Sequence, residues 1–288
     1  MPMPTITKTP RANRVLPTGQ QHLAQLTQLV DRTLDQWLPK AMTSPQVVYE
    51  GMRYCVLLGG KRFRPLLCLG ACEVVGAPAR QALSVACALE LIHAYSLVHD
   101  DLPAMDNADQ RRGQPACHRK FGEGNAILIG DALLTLAFEW LGRNGTLKSL
   151  AIIRTIAEAC GPVGLIGGQV LDLQAISHPH TATERTLRDV AQRKTGALIT
   201  ASVLAGALAG GATSADLAPL RRYGESVGLA FQLIDDLHDQ EGLAQVLGAT
   251  IARAEAQRLV DRAIKGLERF GSRAQTLRSL GEWLATTA

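Results

Sequence analysis

Residues 82–98 read ALSVACALELIHAYSLV and lead directly into HDDLPAMD at residues 99–106. In an α-helix, the apolar side chains of the first stretch surround most of the helix axis instead of forming one stripe, which is typical of a buried central helix. Residues 125–141 repeat this pattern. These stretches predict an all-α protein whose central helix ends in acidic residues.

The rest of the sequence also has helical periodicity, without the alternating β-branched runs of a sheet. Glycine and proline mark the expected helix ends, including Gly59-Gly60, Gly161-Pro162, His178-Pro179 and Gly210-Gly211. We therefore expect one all-α domain of about ten or more helices over residues 19–288. Residues 1–18 contain four prolines and predict a flexible, solvated N-terminal tail in preference to a transit peptide.

The composition excludes several classes of protein. The chain has 288 residues, of which 47% are hydrophobic and 19% charged, so it can bury a large core and is not disordered as a whole. Its net charge is only +4, aromatic residues make up 4%, and no long basic run occurs. Because nucleic-acid binders usually cluster Lys and Arg with interleaved aromatics, we expect no nucleic-acid partner.

Cysteine usage and hydropathy indicate a soluble, cytoplasmic protein. The six cysteines include no CxxC pair, which favours free thiols in a reducing compartment. No secretory signal pattern opens the sequence. Residues 195–215 are uncharged and about long enough to span a bilayer. They contain five Ser or Thr residues and the Gly210-Gly211 pair, so we expect a buried helix followed by a turn, and no membrane span.

Two aspartate clusters, HDDLPAMD at 99–106 and QLIDDLHD at 232–239, each follow an apolar helix. A single such run could be a solvated helix face. Adjacent carboxylates at the end of a buried helix repel each other and lose hydration, so they need a compensating cation. Helical geometry puts Asp235 and Asp239 on one face, with Asp236 about 100° away. Oxygen ligands without His or Cys favour Mg²⁺, which usually shares its coordination shell with substrate phosphates.

Basic residues lie beside glycines at three places: GGKRFRP at 59–65, Arg111-Arg112-Gly113, and Lys194-Thr195-Gly196. Any one pair could serve surface solubility alone. Together with acid clusters of the Mg²⁺-binding type they indicate phosphate binding, for which the guanidinium group is well suited. His93 lies two helical turns before Asp100 on nearly the same face, so it faces the same ligand or is a satisfied core histidine.

Five segments occur in a familiar order between about Tyr49 and Asp239: GGKRFRP, HDDLPAMD with RRG, GGQVLDL, KTG and FQLIDDLHD. In these segments the chain resembles the short-chain trans-prenyl diphosphate synthases, and especially bacterial farnesyl diphosphate synthases. The resemblance implies an isoprenoid synthase fold, in which one bundle of helices surrounds a deep central cavity. It also implies two aspartate clusters facing each other across the cavity mouth, and a homodimer.

The implied reaction is a Mg²⁺-dependent condensation of isopentenyl diphosphate with dimethylallyl or geranyl diphosphate. The implied product is farnesyl diphosphate (C15), with geranylgeranyl diphosphate (C20) as the main alternative. Three Mg²⁺ ions are expected, with Asp100, Asp106 and Asp235 as principal ligands, completed or supported by Asp101, Asp236 and Asp239.

The resemblance also assigns the substrate-binding residues. The implied ligands of isopentenyl diphosphate are Lys61, Arg64, His93 and Arg112. The implied ligands of the allylic diphosphate are Arg111 and Lys194. Thr195 and Gln232 would place oxygen dipoles near the developing allylic cation. The catalytic set implied in this way is Lys194, Thr195, Gln232 and Arg111.

Tyr95 lies five residues before Asp100, about 7.5 Å along the helix axis. In the family that the chain resembles, an aromatic residue here, together with the two extra residues inside DDLPAMD, accompanies a C15 product. Tyr95 is therefore the expected floor of the product cavity, and the alternative is that it only packs the core.

The sequence departs from the family pattern after each acid cluster. Asn107 and Ala108 stand where the family usually continues with aspartates. After Asp239, the family has a Gly- and Lys-rich loop, whereas here Gln240-Glu241-Gly242 runs straight into the next helical segment. Either the chain lacks this loop, or a segment is missing from the sequence at this point, in which case the intact mass would exceed 30.8 kDa.

Two other functions remain open from the sequence. A terpene cyclase also ionises allylic diphosphates, but the second DDxxD and the Lys61/Arg64 pair argue against it. A catalytically inert subunit of a heteromeric synthase could dispense with one cluster or with the cations, yet all are present. Only the missing loop favours the inert subunit.

Overall fold

The computed structural model describes residues 19–143 and 148–287, and the expected all-α architecture is confirmed. The predicted N-terminal tail lies outside these residues. The α-helices are α1 Gly19–Trp37, α2 Gln46–Leu57, α3 Phe63–Val74, α4 Leu83–Asp100, α5 Cys117–Phe121, α6 Glu123–Arg143, α7 Ser149–Cys160, α8 Leu165–Ser177, α9 Glu184–Val190, α10 Ala197–Ala209, α11 Ser214–Asp239, α12 Gly242–Leu247, α13 Ala249–Lys265 and α14 Gln275–Ala285.

Shorter elements connect these helices. The 3₁₀ turns are Ala79–Ala82, Pro179–Thr181 and Glu268–Ala274, and Ala191–Gly196 forms a π-helical turn. A two-stranded antiparallel hairpin pairs β1 Gln110–Arg111 with β2 Gln114–Pro115, so that Arg111 lies opposite Gln114. Helices α2, α7, α8 and α10 end within about two residues of the predicted Gly or Pro stops.

Helix α4 lies at the centre of the bundle, where it packs against α2, α3, α6 and α10. Residues on all sides of it are buried, as the sequence of 82–98 predicts. The similar prediction for 125–141 is wrong in part. In α6 the side chains of Ile127 and Leu128 are 45% and 56% exposed, because only one side of the helix faces α4.

Apolar helices of membrane-spanning length do occur in the described residues. By length and composition alone three segments qualify: Ala79–Asp100, Glu123–Arg143 and Ser149–Ser177. The first is 72% buried within the protein, so the protein core accounts for most of its apolar surface. The stretch 195–215 is not among the three; it contains α10, a 13-residue helix that is buried along almost its whole length.

The arrangement of α4 and α11 brings the two acid clusters together. Helix α11 begins with a capping box formed by Thr213 and Asp216 and ends at Asp239, while α4 ends at Asp100. Asp100 and Asp235 line the same cavity, so the two helices deliver their acidic ends to one place.

Candidate active site

A cavity of about 690 Å³ lies between the ends of α4 and α11, the start of α3 and the π-helical turn. It brings together most of the site residues predicted from the sequence: Lys61, Arg64, His93, Asp100, Asp106, Arg111, Arg112, Lys194, Thr195, Gln232 and Asp235. A second cavity of about 650 Å³ shares Asp106, Lys194 and Gln232 with it and extends to Asp172 and Asp236.

Two of the carboxylates that line the cavity, those of Asp100 and Asp235, have raised pKa values. Burial raises the pKa of Asp100 to about 6, and Asp106 adds to this, while Lys194 and Arg111 oppose it. Burial and the Asp239 carboxylate likewise raise the pKa of Asp235. A carboxyl pKa that burial raises means that the ionised form has lost hydration that the nearby positive charges do not fully replace.

The donor set fits Mg²⁺ that is completed by a substrate. Within residues 19–143 and 148–287, no group of three or more His, Cys, Asp or Glu side chains is close enough to hold a metal ion alone. Mg²⁺ commonly takes one or two carboxylates and fills its remaining positions with water and phosphate oxygens. Carboxylate oxygens of Asp100, at the end of α4, of Asp106, shortly after α4, and of Asp235, in the last turns of α11, line the cavity.

The second aspartate of each DD pair has another environment. Asp101 is buried and accepts a hydrogen bond from Arg111 Nε at 3.1 Å. Asp236 is buried and accepts hydrogen bonds from Leu243 N and from Gln232 Nε2, both at 2.7 Å. Neither side chain lines the main cavity, nor does the exposed Asp239. Asp101 and Asp236 therefore hold protein groups around the site: Asp101 orients Arg111, and Asp236 anchors the start of α12.

The π-helical turn carries Lys194 into both cavities. Its Nζ donates to Asp172 Oδ2 at 2.6 Å. Burial lowers the pKa of Lys194, but Asp172, Asp100 and Asp106 together raise it by more, so the amine stays charged. Its neighbour Thr195 donates a hydrogen bond to Gln232 Oε1, and Gln232 in turn donates to Asp236.

Sequence reasoning missed two residues of α8. Gln169 lines the main cavity, where its buried Nε2 has no hydrogen-bond partner within residues 19–143 and 148–287, and Asp172 pairs with Lys194. Both lie in the GGQVLDL segment at residues 167–173, which carries part of the family resemblance but no predicted site residue. The glycine pair at the start of this segment is the signal in the sequence that could have found them. A Cβ on Gly168 would lie 2.2 Å from Lys194 N, so only glycine lets α8 approach the π-helical turn this closely.

Arginines dominate another wall of the cavity. The pKa of His93 lies well below its usual value because of burial and of four surrounding arginines, so the ring is neutral. Arg112 donates to Gly59 O. The buried Nε of Arg64 has no hydrogen-bond partner in the described part of the chain. A buried, unpaired guanidinium donor at a cavity wall is suited to an anionic ligand.

Tyr95 is only 5% exposed and lies in α4 below Asp100. Its ring packs edge-on against His99, with 5.8 Å between ring centroids. Its hydroxyl has no hydrogen-bond partner among the described residues. The side chain does not line the main cavity, so its predicted contact with a growing product stays a prediction.

The turn after Asp239 is short. Gln240 adopts a left-handed conformation with φ 58°, and Glu241 N donates to Asp236 O at 3.1 Å. These two residues alone connect α11 to α12, and Glu241 lines the cavity.

Comparison with known proteins agrees with this fold. The sequence matches the polyprenyl synthetase family over residues 45–254, nearly three quarters of the chain. The chain therefore belongs to the polyprenyl synthetase family and has the isoprenoid synthase fold. Its membership makes it a prenyltransferase of isoprenoid biosynthesis.

Three similar proteins cover most of the chain. Geranylgeranyl diphosphate synthase of Cyanophora paradoxa is 43% identical over 236 residues, which cover 81% of this chain and 78% of the relative. Dimethylallyltranstransferase of Fischerella ambigua is 40% identical over 288 residues, covering 92% and 82%. The crystal structure of an FPP/GFPP synthase from Zymomonas mobilis has a TM-score of 0.88 at 39% identity, covering 92% of this chain and 98% of that one.

Proposed function

We propose that this chain condenses isopentenyl diphosphate with an allylic diphosphate in the cavity between α4 and α11. The observation that carries the proposal is the meeting of carboxylates from two acid clusters with Lys194 and the arginine wall around one cavity. The family is generally Mg²⁺-dependent. Mg²⁺, in three ions held chiefly by Asp100, Asp106 and Asp235, would supply Lewis-acid stabilisation of the leaving diphosphate.

The protein's own groups orient both substrates. Arg111, held by Asp101, and the charged Lys194 would bind the allylic diphosphate as its C1–O bond breaks. The oxygens of Thr195 and Gln232 would face the developing cation. The residues that would bind isopentenyl diphosphate are Lys61, Arg64, His93 and Arg112.

The bonds and protons of this reaction balance without a side-chain nucleophile. The double bond of isopentenyl diphosphate attacks C1, which forms the new carbon–carbon bond. A proton then leaves the isopentenyl unit, and an oxygen of the released diphosphate accepts it. The cavity walls would keep water from the allylic cation during these steps.

The experiment is to incubate the protein with Mg²⁺, isopentenyl diphosphate and either dimethylallyl or geranyl diphosphate, and to size the dephosphorylated alcohols. We expect product only when Mg²⁺ and both substrates are present. Absence of product from a folded chain of verified intact mass would contradict the proposal and favour the inert-subunit alternative.

Geranylgeranyl diphosphate is the first candidate product, because several relatives of this chain are named as geranylgeranyl diphosphate (pyrophosphate) synthases. This favours the C20 alternative over the C15 product expected from the sequence. Farnesyl diphosphate remains the second candidate, favoured by the bulk of the buried Tyr95 below Asp100 and by the name of the Zymomonas mobilis structure.

Replacing Tyr95 tests whether this residue limits product length. We expect Tyr95→Ala to lengthen the main product by at least one C5 unit, because it removes an aromatic ring from the helix below Asp100. Tyr95→Phe is the matched control: it keeps the ring and removes only a hydroxyl that has no hydrogen-bond partner in the part of the chain that the structure describes. Unchanged product length in Tyr95→Ala would remove Tyr95 from this role.

We also propose that the chain is a homodimer whose interface includes the exposed apolar side of α6. Ile127 and Leu128 are adjacent there, and contiguous exposed apolar groups, unlike single ones, are a feature of interaction surfaces. Light scattering is expected to give twice the chain mass of 30.8 kDa. Leu128→Glu is expected to lower this mass, whereas Ile251→Glu on α13, a residue of equal exposure, is not. A monomeric wild type would contradict the proposal.

We further propose a cytoplasmic location. All six cysteines are free thiols. Burial raises the pKa of Cys72 to about 11 and that of Cys160 to about 12, so both thiols remain protonated. It is the lack of pairing among the six cysteines that suits a reducing compartment.

A further inference from the structure

Arg62 is a buried residue in an unusual backbone conformation. It precedes α3 with φ 48°, in the left-handed region that non-glycine residues rarely adopt, and its side chain is 2% exposed. Its guanidinium donates to Glu90 Oε1 at 2.5 Å, to Asp31 Oδ1 at 2.8 Å and to Val56 O at 2.9 Å. It therefore ties the turn before α3 to α1, α2 and α4.

Glu90, which forms an ion pair with Arg62, is part of the cavity wall. Glu90 is buried on α4, one turn before His93, and lines the cavity together with Arg64 and Arg112. Burial lowers the pKa of both these arginines, and the Glu90 carboxylate raises it, so each lies within electrostatic reach of Glu90. Arg64 and Arg112 thus lie near this carboxylate, but within the described part of the chain it is Arg62 that donates a hydrogen bond to Glu90.

We propose that Arg62 is a positioning residue for the isopentenyl diphosphate site: by pairing with Glu90, it leaves Arg64 and Arg112 free to bind the diphosphate. This inference rests on the proposed function. A buried carboxylate that loses its partner keeps its need for a cation. Without Arg62, Glu90 would turn to Arg64 and Arg112 and compete with the substrate for them. The Nε of Arg64, which has no partner among the described residues, is a donor that Glu90 could then bind in place of the substrate.

The test compares Arg62→Met, Glu90→Gln and the double variant in steady-state kinetics. We expect Arg62→Met to raise KM for isopentenyl diphosphate about tenfold or more, the scale of a lost hydrogen bond to a charged group, with kcat and the allylic KM within about twofold. In the double variant the competing charge is gone, so KM should return to within about threefold of wild type. A purely structural role would instead give a double variant at least as impaired as Arg62→Met.

Arg53→Met is the matched control. Arg53 on α2 also pairs with an aspartate of α1, Asp35, but does not line the cavity. The KM values of Arg53→Met for both substrates should therefore equal those of wild type. Calorimetric titration of each variant with isopentenyl diphosphate alone gives a readout independent of turnover, and thermal unfolding reports folding. If Arg62→Met does not fold, the inference requires that the folded double variant bind within about threefold of wild type.

An unchanged affinity in Arg62→Met, or an equal loss for both substrates without recovery in the double variant, would overturn the role of Arg62. Failure of the proposed function looks different, because wild type itself would then form no condensation product. In that case the titrations still decide whether Arg62 controls diphosphate binding.

Discussion

Asp100→Asn is expected to lower kcat/KM for the condensation by at least about 10³ while the protein stays folded. The change removes a proposed Mg²⁺ ligand at the end of α4, and loss of one preorganised electrostatic group alone typically costs about 10²–10³ in rate. Steady-state kinetics with geranyl and isopentenyl diphosphates measure this. Asp109→Asn is the control, because Asp109 is exposed, pairs with Arg119 and does not line the cavity.

In the absence of metal, Asp100→Asn should be more stable against unfolding than wild type. The pKa of Asp100 is about 6 in the folded chain, against 3.8 for the unperturbed group. A carboxyl group whose pKa is higher in the folded than in the unfolded chain stabilises the fold when it is protonated. This stability is fully present below the pKa of the unfolded chain and is lost as the pH rises through about 6. At pH 7 the ionised Asp100 therefore lowers the free energy of unfolding by up to about 3 kcal/mol. Asparagine carries no charge, so the variant does not have this cost.

Urea unfolding in EDTA at pH 5 and pH 7.5 checks this, and the stability difference between Asp100→Asn and wild type should be larger at pH 7.5. Mg²⁺ with inorganic pyrophosphate should then stabilise wild type by mass action and the variant much less. Turnover within tenfold of wild type, or an equal response to Mg²⁺ and pyrophosphate, would contradict the assignment of Asp100.

Lys194→Met is expected to lower kcat/KM by about 10² or more. The amine faces both Asp100 and Asp106, is held by Asp172, and is the proposed cation for the allylic diphosphate. Arg193→Met is the matched control one residue earlier, because Arg193 pairs with Asp189 and does not line the main cavity.

A double variant separates the catalytic effect of Lys194 from a structural one. Lys194→Met leaves Asp172 without its cation, and adding Asp172→Asn removes that unpaired charge. The double variant should regain thermal stability but not turnover. Recovery of turnover along with stability would mean that Lys194 only neutralises Asp172.

Local patterns in the sequence predicted the parts of this site that depend on one segment. The apolar circumference of residues 82–98 indicates burial whatever packs around it, and α4 is indeed central. The 100° step between neighbouring helical residues also explains why Asp235 lines the cavity whereas Asp236 does not. In the second cluster, the structure adds what Asp236 touches: the start of α12, seven residues on.

Features that depend on partners distant in the sequence could not be predicted in this way. Periodicity identifies Ile127 as apolar but does not say whether another helix or another subunit covers it. The pairing of Asp172 with Lys194 joins residues 22 apart on two elements, and that of Arg62 with Glu90 joins residues 28 apart. The proposed role of Tyr95 in product length depends on the side chains that pack around it, so a motif alone does not determine the product.

The most direct test of the central claim is the stoichiometry of the wild-type reaction. Labelled isopentenyl diphosphate and geranyl diphosphate are mixed with the protein, with and without Mg²⁺, and diphosphate release is measured beside the chain-extended product. We predict one diphosphate released per carbon–carbon bond formed, and neither signal without Mg²⁺ or without isopentenyl diphosphate. Release of diphosphate from geranyl diphosphate alone, with no extended product, would contradict the account and indicate a cyclase or hydrolase.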